Sequence, residues 1–257
     1  MKQLSINEDS INYKLERQIK IRDILVDLPV KYKGRAITAL FPMPTKKAIA
    51  AINYPEISPA EISLGKSLLS ITLFDYYWSP IGPYTELAVS IPVCYKSKIN
   101  IPLIPLIINK FLKNFGFFVL DIAQSTEIAI EHGNKITGYP HNPKLIDVRF
   151  NDNGNDLYIE ASGDKQKILN IQIKKPKKEK LIQQSYMTYF TKERNLFKIQ
   201  MDIYGIEAKI KECKLNLGNH ESLEFIRKFD VSCNSVETRY FRDVIEILNS
   251  PILLKNL

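Results

Sequence analysis

The feature that most constrains this chain is a period-two alternation of apolar and polar residues that returns in many segments. Leu69, Ile71 and Leu73 form one such series. Comparable series cover residues 87–93, 157–161, 169–173, 197–203 and 206–210. Successive side chains of a strand point to opposite faces, so this pattern is typical of strands with one buried face. The chain is therefore predicted to be mainly β.

Turn residues between these segments indicate that many strands pair as hairpins. Gly163 and Asp164 separate two alternating runs, and Tyr204 and Gly205 separate two others. The pattern slips at Lys211–Glu212, as a β-bulge requires. Several antiparallel pairs favour a sandwich or a barrel, because closure removes exposed sheet edges. Helices are expected in few places, namely 59–69, 106–115 and 221–229.

An apolar stretch from Ile101 to Leu120 interrupts the strand pattern. It has the length of a membrane span, but the prolines, lysines and glycine within it argue against one. Its apolar residues recur at helical spacing, which predicts an amphipathic helix between Pro105 and Gly116. Such a helix packs on its own domain, covers an apolar pocket, contacts another subunit or lies on a membrane. With no linker or internal repeat, we expect one domain over 1–257 with an apolar helical insertion at about 99–120.

Charge and cysteine content limit the class of partner and the compartment. Of 257 residues, 36 are Lys or Arg and 28 are Asp or Glu, a net charge of +8. Five lysines fall within 174–180, which predicts a solvated loop or a contact with phosphate or anionic lipid. No aromatic residue is interleaved with them, so we expect no nucleic-acid partner. Three cysteines without a CxxC pair indicate neither a metal site nor a disulfide scaffold, and MKQLSINEDS lacks the apolar core of a secretory signal, so a cytoplasmic protein without cofactor is expected.

Common catalytic motifs are absent, but three segments place polar groups among turn residues and apolar runs. Arg35 precedes an apolar run and has the fork geometry that binds carboxylates. Glu86 ends a rigid Pro/Gly turn before a strand, where burial would suit it to acid or base catalysis. His141 lies between prolines in the glycine-rich segment 131–144.

These three segments, taken in chain order, resemble the acetoacetate decarboxylase family. Members carry a similar arginine, a GPYNE-like turn matched here by GPYTE (82–86), and a GxPKK-type segment matched in part by GNKITGYPHNPKL (133–145). The C-terminal stretch 229–248 is also similar. The resemblance covers nearly the whole chain and implies an α+β, mainly β fold: a closed antiparallel conical β-barrel with peripheral helices, assembled as a homo-oligomer. It also implies that Arg35, Tyr84 and Tyr139 contact the substrate.

The segment after Tyr139 and Pro140 departs from the family pattern. Family decarboxylases form a Schiff base with a β-keto acid through a lysine that follows this turn. Here His141 and Asn142 follow, and only a two-residue insertion brings Lys144 near the second family lysine. The amine would then be Lys144 or Lys135, or His141 would move the proton instead. A second acid of some members falls on Ile71, which indicates a more apolar pocket.

These observations lead to one main hypothesis and two others. The main one is an acetoacetate decarboxylase-like enzyme acting on an apolar keto acid or polyketide-like molecule by decarboxylation, related carbon–carbon lyase chemistry or dehydration. Its catalytic residues would be Lys144, His141 and Glu86. The alternative is a non-catalytic barrel that binds a hydrophobic ligand. A third and weaker one is peripheral membrane contact through 174–180 and 101–120.

Overall fold

The computed structural model describes residues 4–96, 114–221 and 224–255. In chain order its strands are β1 (Arg17–Ile21), β2 (Ile24–Leu28), β3 (Val30–Pro44), β4 (Ile57–Pro59), β5 (Glu61–Ser63), β6 (Lys66–Trp78), β7 (Tyr84–Tyr95), β8 (Phe115–Gln124), β9 (Asp147–Asn153), β10 (Asp156–Gly163), β11 (Gln166–Lys174), β12 (Lys180–Lys192), β13 (Asn195–Ile210), β14 (Lys214–Leu217), β15 (Glu237–Leu248) and β16 (Ile252–Lys255). The described helices are α1 (Thr45–Ile52), α2 (Glu127–Ile136) and the short α3 (Glu224–Arg227), with a 3-10 turn at Glu8–Ser10.

Seven strands close into a barrel in the order β6, β7, β8, β12, β13, β15 and β3, with β3 pairing back to β6. Six of the seven junctions are antiparallel, and β8–β12 is parallel. The expectation of a purely antiparallel barrel is therefore wrong, while the closed, mainly β architecture is confirmed. The reason is geometric, since strand direction cannot alternate all the way around a ring with an odd number of strands.

The long connection between β8 and β12 makes that parallel junction possible. It passes through α2 and through the antiparallel strands β9, β10 and β11, which with β14 form a separate four-stranded sheet. A parallel neighbour needs such a crossover, because the chain must return to the end of the barrel where β8 began. The lysine-rich stretch 174–180 links β11 to β12 at the end of this long connection.

The barrel wall has an inner and an outer face set by the strand period. On β6 the even-numbered residues from 68 to 76 face the interior, whereas Leu69, Ile71 and Leu73 face outward. Those outward side chains join a buried cluster with the second sheet, including Ile159 and Ile171. Burial of this apolar surface holds the second sheet against the outer face of the barrel. This buried cluster therefore lies outside the barrel and does not fill its interior.

Several local predictions are confirmed or corrected by the pairing. The hairpin around Gly163 and Asp164 is confirmed, because β10 pairs with β11 there. The predicted turn at Tyr204–Gly205 is wrong, since β13 runs through both residues while paired with β12. A Cβ on Gly205 would lie 3.0 Å from Cδ1 of Phe241, so this glycine makes room for a ring rather than for a turn.

The predicted helices differ most from the structure. Residues 59–69 form β4, β5 and the start of β6 around a turn at Gly65, whose φ of 75° favours glycine. The predicted helix 106–115 lies outside the described residues except for Asn114 and Phe115, and Phe115 begins β8. In the described part of the chain, no helix is both long and apolar enough to cross a bilayer.

Candidate active site

A cavity of about 720 Å³ lies inside the barrel. All seven barrel strands contribute inward-facing side chains to it, and so do α2 and the turn that follows α2. Most of the lining is apolar, with polar groups gathered at a few positions. An apolar pocket with a few converging polar groups is the usual form of a small-molecule site.

The first polar group is Glu86, which points inward from β7 and is 8% exposed. Its register partner on β8 is Gln124, whose Nε2 donates a 2.8 Å hydrogen bond to Oε2 of Glu86. Burial raises the pKa of Glu86 to about 7, since the charged form loses its hydration and one amide contact offsets only part of the loss. The carboxyl is therefore about half ionised at neutral pH.

The second polar group is Glu246 on β15, which is 3% exposed. The hydroxyl of Tyr76 donates a 2.8 Å hydrogen bond to Oε2 of Glu246. Burial raises the pKa of Glu246 to about 8, and repulsion from Glu86 adds to the increase. At pH 7 this carboxyl is mostly protonated, so it has a proton that it can donate.

A β-bulge in β15 turns Glu246 toward the cavity. Phe241 pairs with Ala36, but Val244 pairs with Gly34, so three steps on β15 match two on β3. Residues 237, 239 and 241 face inward before the bulge, and residues 244, 246 and 248 do so after it. A one-residue change of register exchanges the faces of a strand. Without the bulge, the Glu246 side chain would point out of the barrel.

Three tyrosines surround the two carboxyls. The ring of Tyr76 lies 5.2 Å from that of Tyr32 and 5.0 Å from that of Tyr84, centroid to centroid. Burial raises the pKa of all three phenols well above its ordinary value, and the nearby carboxyls reinforce the shift for each. These hydroxyls stay neutral at physiological pH, so this end of the cavity holds donors without positive charge.

Two imidazoles line the cavity beside this group. His132 lies on α2, and its ring is edge-on to Tyr32 at 5.9 Å. His141 lies in the segment after α2, which is held to β8 by two backbone hydrogen bonds that Ile122 makes with Pro140 and Asn142. Burial lowers the pKa of each imidazole to about 4, so both are neutral at pH 7.

Gly133 of α2 lets the His141 ring approach the helix. A Cβ at position 133 would lie 2.3 Å from Nε2 of His141, a distance that no real side chain tolerates. Within the described part of the chain, Nε2 of His132 and Oε1 of Gln124 form no hydrogen bond. Buried polar atoms without partners are costly, so these atoms are positions for a bound molecule or for water.

The structure brings together four of the residues singled out from the sequence. Glu86, Tyr84, Tyr139 and His141 all line the cavity. The hydroxyl of Tyr139 lies 2.5 Å from that of Thr188, and its ring packs edge-on against Phe190. The catalytic and binding roles of these residues stay predictions.

Arg35 is placed outside the cavity, contrary to expectation. Its Nε donates a 2.8 Å hydrogen bond to Asp75, and its guanidinium lies 4.7 Å from the ring centre of Phe150 in the second sheet. The next residue, Ala36, takes the inward position on β3. Strand alternation therefore turns the Arg35 side chain away from this cavity, and its contact with a substrate carboxylate stays a prediction.

The candidate amines are placed outside it as well. Lys144 forms an exposed ion pair with Glu221, and Lys135 forms one with Glu131 at 2.9 Å. Among the described residues, the lysine that lines the cavity is Lys209, about half exposed. Ile71 faces the buried cluster between the barrel and the second sheet rather than the cavity. Its apolar side chain therefore does not affect the polarity of the pocket.

Comparison of the whole structure with solved structures identifies its fold. The structure resembles that of acetoacetate decarboxylase from Legionella pneumophila subsp. pneumophila str. Philadelphia 1, with a TM-score of 0.62, 15% identity and 98% of each chain covered. The chain has the acetoacetate decarboxylase fold. The resemblance drawn from the sequence motifs is thus confirmed at the level of the fold.

Two further structures share this acetoacetate decarboxylase fold at lower identity. An acetoacetate decarboxylase-like enzyme from Sphingomonas wittichii RW1 gives a TM-score of 0.53 at 10% identity, covering 88% of this chain and 92% of that one. The enduracididine biosynthesis enzyme MppR, complexed with pyruvate, gives 0.55 at 8% identity, covering 88% and 90%. Neither a protein-family model nor a curated protein matches the sequence.

Sequence reasoning missed Glu246, His132 and Gln124 as members of the site. Glu246 belongs to the apolar run VIEIL (244–248), where a single acid between apolar residues is a visible but ambiguous signal. Gln124 was hidden because nothing local shows which strand pairs with the Glu86 strand. His132 required α2 to be recognised as a helix, and Thr126 does cap it by accepting a hydrogen bond from the Ala129 amide.

Proposed function

We propose that this protein is an enzyme that transfers protons next to the carbonyl group of a substrate with an apolar body. The observation that carries the proposal is the pair of buried carboxyls, Glu86 and Glu246, in one largely apolar cavity with pKa values near neutrality. Sites that hold two titratable groups in different protonation states are suited to acid and base roles.

The roles follow from the protonation states at pH 7. Glu86 has the lower pKa of the two, so it is the first to ionise and acts as the base that removes a proton from the α-carbon. Glu246 keeps its proton and donates it to the carbonyl oxygen as the enol forms. Glu86 becomes neutral when it takes the proton from carbon, and Glu246 becomes a carboxylate when it protonates the oxygen. The net charge of the site is therefore unchanged while the enol is bound.

The neutral imidazoles complete the site. With pKa values of about 4 they are poor bases at pH 7, but each offers one N–H donor and one acceptor nitrogen. We assign His141 the part of a hydrogen-bonding group that positions the substrate and relays a proton from Glu86. Bond cleavage or dehydration beside the carbonyl would then proceed through the enol. An imine route would instead need an amine at the end of the cavity that holds Glu86 and Glu246.

Proton exchange tests this function directly. The wild-type protein is incubated in D₂O with a panel of ketones and 3-oxo acids, and NMR follows α-deuteration, dehydration and loss of carbon dioxide. We expect turnover with at least one apolar member, and a decrease of 10²-fold or more in both Glu86→Gln and Glu246→Gln. Glu160→Gln on the second sheet is the matched control and should keep full activity.

The result that would overturn the proposal is the absence of any exchange or product across the panel in a folded wild-type protein. Equal activity of the two cavity variants and the wild type would overturn it as well. Borohydride trapping separates the imine route, since a stable adduct on Lys209, Lys144 or Lys135 would replace the proposed mechanism by Schiff-base chemistry.

A second candidate function is binding of a hydrophobic ligand without catalysis. It is favoured by the apolar lining and by the placement of Lys144 and Lys135 outside the cavity. Native mass spectrometry of the purified protein should then show a co-purifying apolar molecule, together with no turnover in the exchange assay.

A further inference from the structure

A second polar cluster lies on the inner face of β15, before the bulge. It is centred on Arg239, whose Nε donates a 2.6 Å hydrogen bond to Glu237 and whose Nη1 donates a 2.9 Å bond to the hydroxyl of Tyr186. Nη1 also lies 3.5 Å from Oε1 of Glu207, which is only 2% exposed. Arg239, Glu237, Tyr186 and Lys209 all line the cavity.

The charges of this cluster do not cancel. Glu207 is already paired with Lys180 at 3.3 Å, and Glu237 is within 3.8 Å of Lys209. Arg239 is also within 3.5 Å of Glu207 and 2.6 Å of Glu237, so these three cations and two acids together carry one net positive charge. The side chain of Arg239 is 19% exposed, so water screens this charge poorly.

The guanidinium also has donors to spare. Its Nε and Nη1 are used, but the described residues provide no hydrogen-bond partner for Nη2. Arginine carries five N–H donors in a planar fork that suits a carboxylate. A cluster with one net positive charge and a guanidinium nitrogen that is not used has the chemistry of a site for a single anion.

This cluster is separated from the carboxyls of Glu86 and Glu246. Arg239 and Glu246 lie on the same strand seven residues apart, which corresponds to roughly 20 Å at about 3.3 Å per residue, less the shortening by the bulge. The inward-facing residues between them are Phe241 and Val244, both apolar. The cavity thus has one end that holds the Arg239 cluster, an apolar middle and another end that holds Glu86 and Glu246.

We propose that Arg239 binds the carboxylate of an elongated oxo acid whose carbonyl group lies at Glu86 and Glu246. The substrate class is then a medium-chain acid with an apolar body and a carbonyl remote from the bound carboxylate. This inference deepens the proposed function and rests on it for the position of the carbonyl. A carboxylate is preferred over a phosphate monoester, since the single net positive charge of the cluster balances a monoanion.

Calorimetric titration tests the anion site without turnover. The probes are decanoate, the neutral ketone 2-decanone and decyl phosphate, none of which can be consumed by loss of a β-carboxylate. The wild type should bind decanoate at least 10-fold more tightly than 2-decanone and more tightly than decyl phosphate. Arg239→Gln should lose about 10-fold or more in decanoate affinity and keep its affinity for 2-decanone within twofold.

The matched control is Arg242→Gln on the same strand. Arg242 pairs with Glu179 and does not line the cavity, so its variant should bind both probes as the wild type does. If Arg239→Gln does not fold, Arg239→Lys keeps the charge and removes the fork, and it should lose part of the decanoate preference. The wild-type ratio of decanoate to 2-decanone affinities is a readout that needs no variant.

Three outcomes would overturn the inference: a wild type that prefers 2-decanone, an Arg239→Gln variant that loses both probes equally, or tighter binding of decyl phosphate. If only the proposed function fails, the exchange assay will show no α-proton exchange, while calorimetry will still show selective binding of decanoate. The two failures are therefore distinguishable.

Discussion

Replacing Glu246 by glutamine tests whether this carboxyl is buried and protonated as the structure places it. Its pKa rises from the usual 4.5 to about 8 in the folded protein, mainly through desolvation. A raised pKa means that the folded state holds the proton more tightly than the unfolded state does. The stabilisation is therefore complete below pH 4.5 and is lost as the pH rises through 8.

The size of the effect follows from these two values. Between pH 6 and pH 9 the group lowers the free energy of unfolding by about 3 kcal/mol, since the unfolded chain ionises fully while the folded one resists. A glutamine has no such proton, yet its amide oxygen still accepts the hydrogen bond that Tyr76 donates. Glu246→Gln should therefore lose about 3 kcal/mol less stability than the wild type over this interval.

Urea denaturation at pH 6 and pH 9 measures the difference. Glu160→Gln, on β10 of the second sheet, is the control and should follow the wild-type pH dependence. If the wild type and Glu246→Gln lose the same stability between the two pH values, then Glu246 is not desolvated and the acid role assigned to it fails.

Other predictions concern the chemistry and packing of the same cavity. Turnover should peak between about pH 7 and 8, where Glu86 is ionised and Glu246 is still protonated, and a rate that rises steadily to pH 10 would contradict the assignment. Gly133→Ala should lower both the melting temperature and the activity, because the new Cβ would lie 2.3 Å from His141; the stabilisation usual for Gly→Ala in a helix would refute this packing. Ile71→Ala should cost about 2–5 kcal/mol of stability by denaturation, since the side chain is fully buried between the barrel and the second sheet, while a changed substrate preference would place it in the site after all.

Much of the barrel was predictable from local pattern. The alternation on β6, β7, β10 and β11 identifies each strand, because a strand with one buried face must repeat with a period of two residues. The turn at Gly163–Asp164 also fixes its own hairpin. Predictions failed where a pattern had two meanings, as at Gly205, where a glycine inside a strand gives room to Phe241 instead of making a turn.

The site was predictable only in part. Glu86, Tyr84, Tyr139 and His141 were found through turn-rich segments and a family resemblance, and all four line the cavity. Arg35 and Lys144 were misplaced, since a sequence does not show which face of a strand or which side of a loop looks inward. Strand alternation turns Arg35 out toward Phe150, and an ion pair with Glu221 holds Lys144 at the surface.

The sequence by itself determined many of the strands, the mainly β class and four of the polar residues that line the cavity, because these follow from local patterns and motifs in the chain. Only the tertiary structure decided that Glu246 and Gln124 join Glu86 and that Arg239 faces the same cavity. Strand order around the barrel and the bulge in β15 bring Glu246 to Glu86 from a position more than a hundred residues away in the chain. Desolvation of the two carboxyls also comes from closure of the barrel, since an acid loses its water only when distant strands surround it.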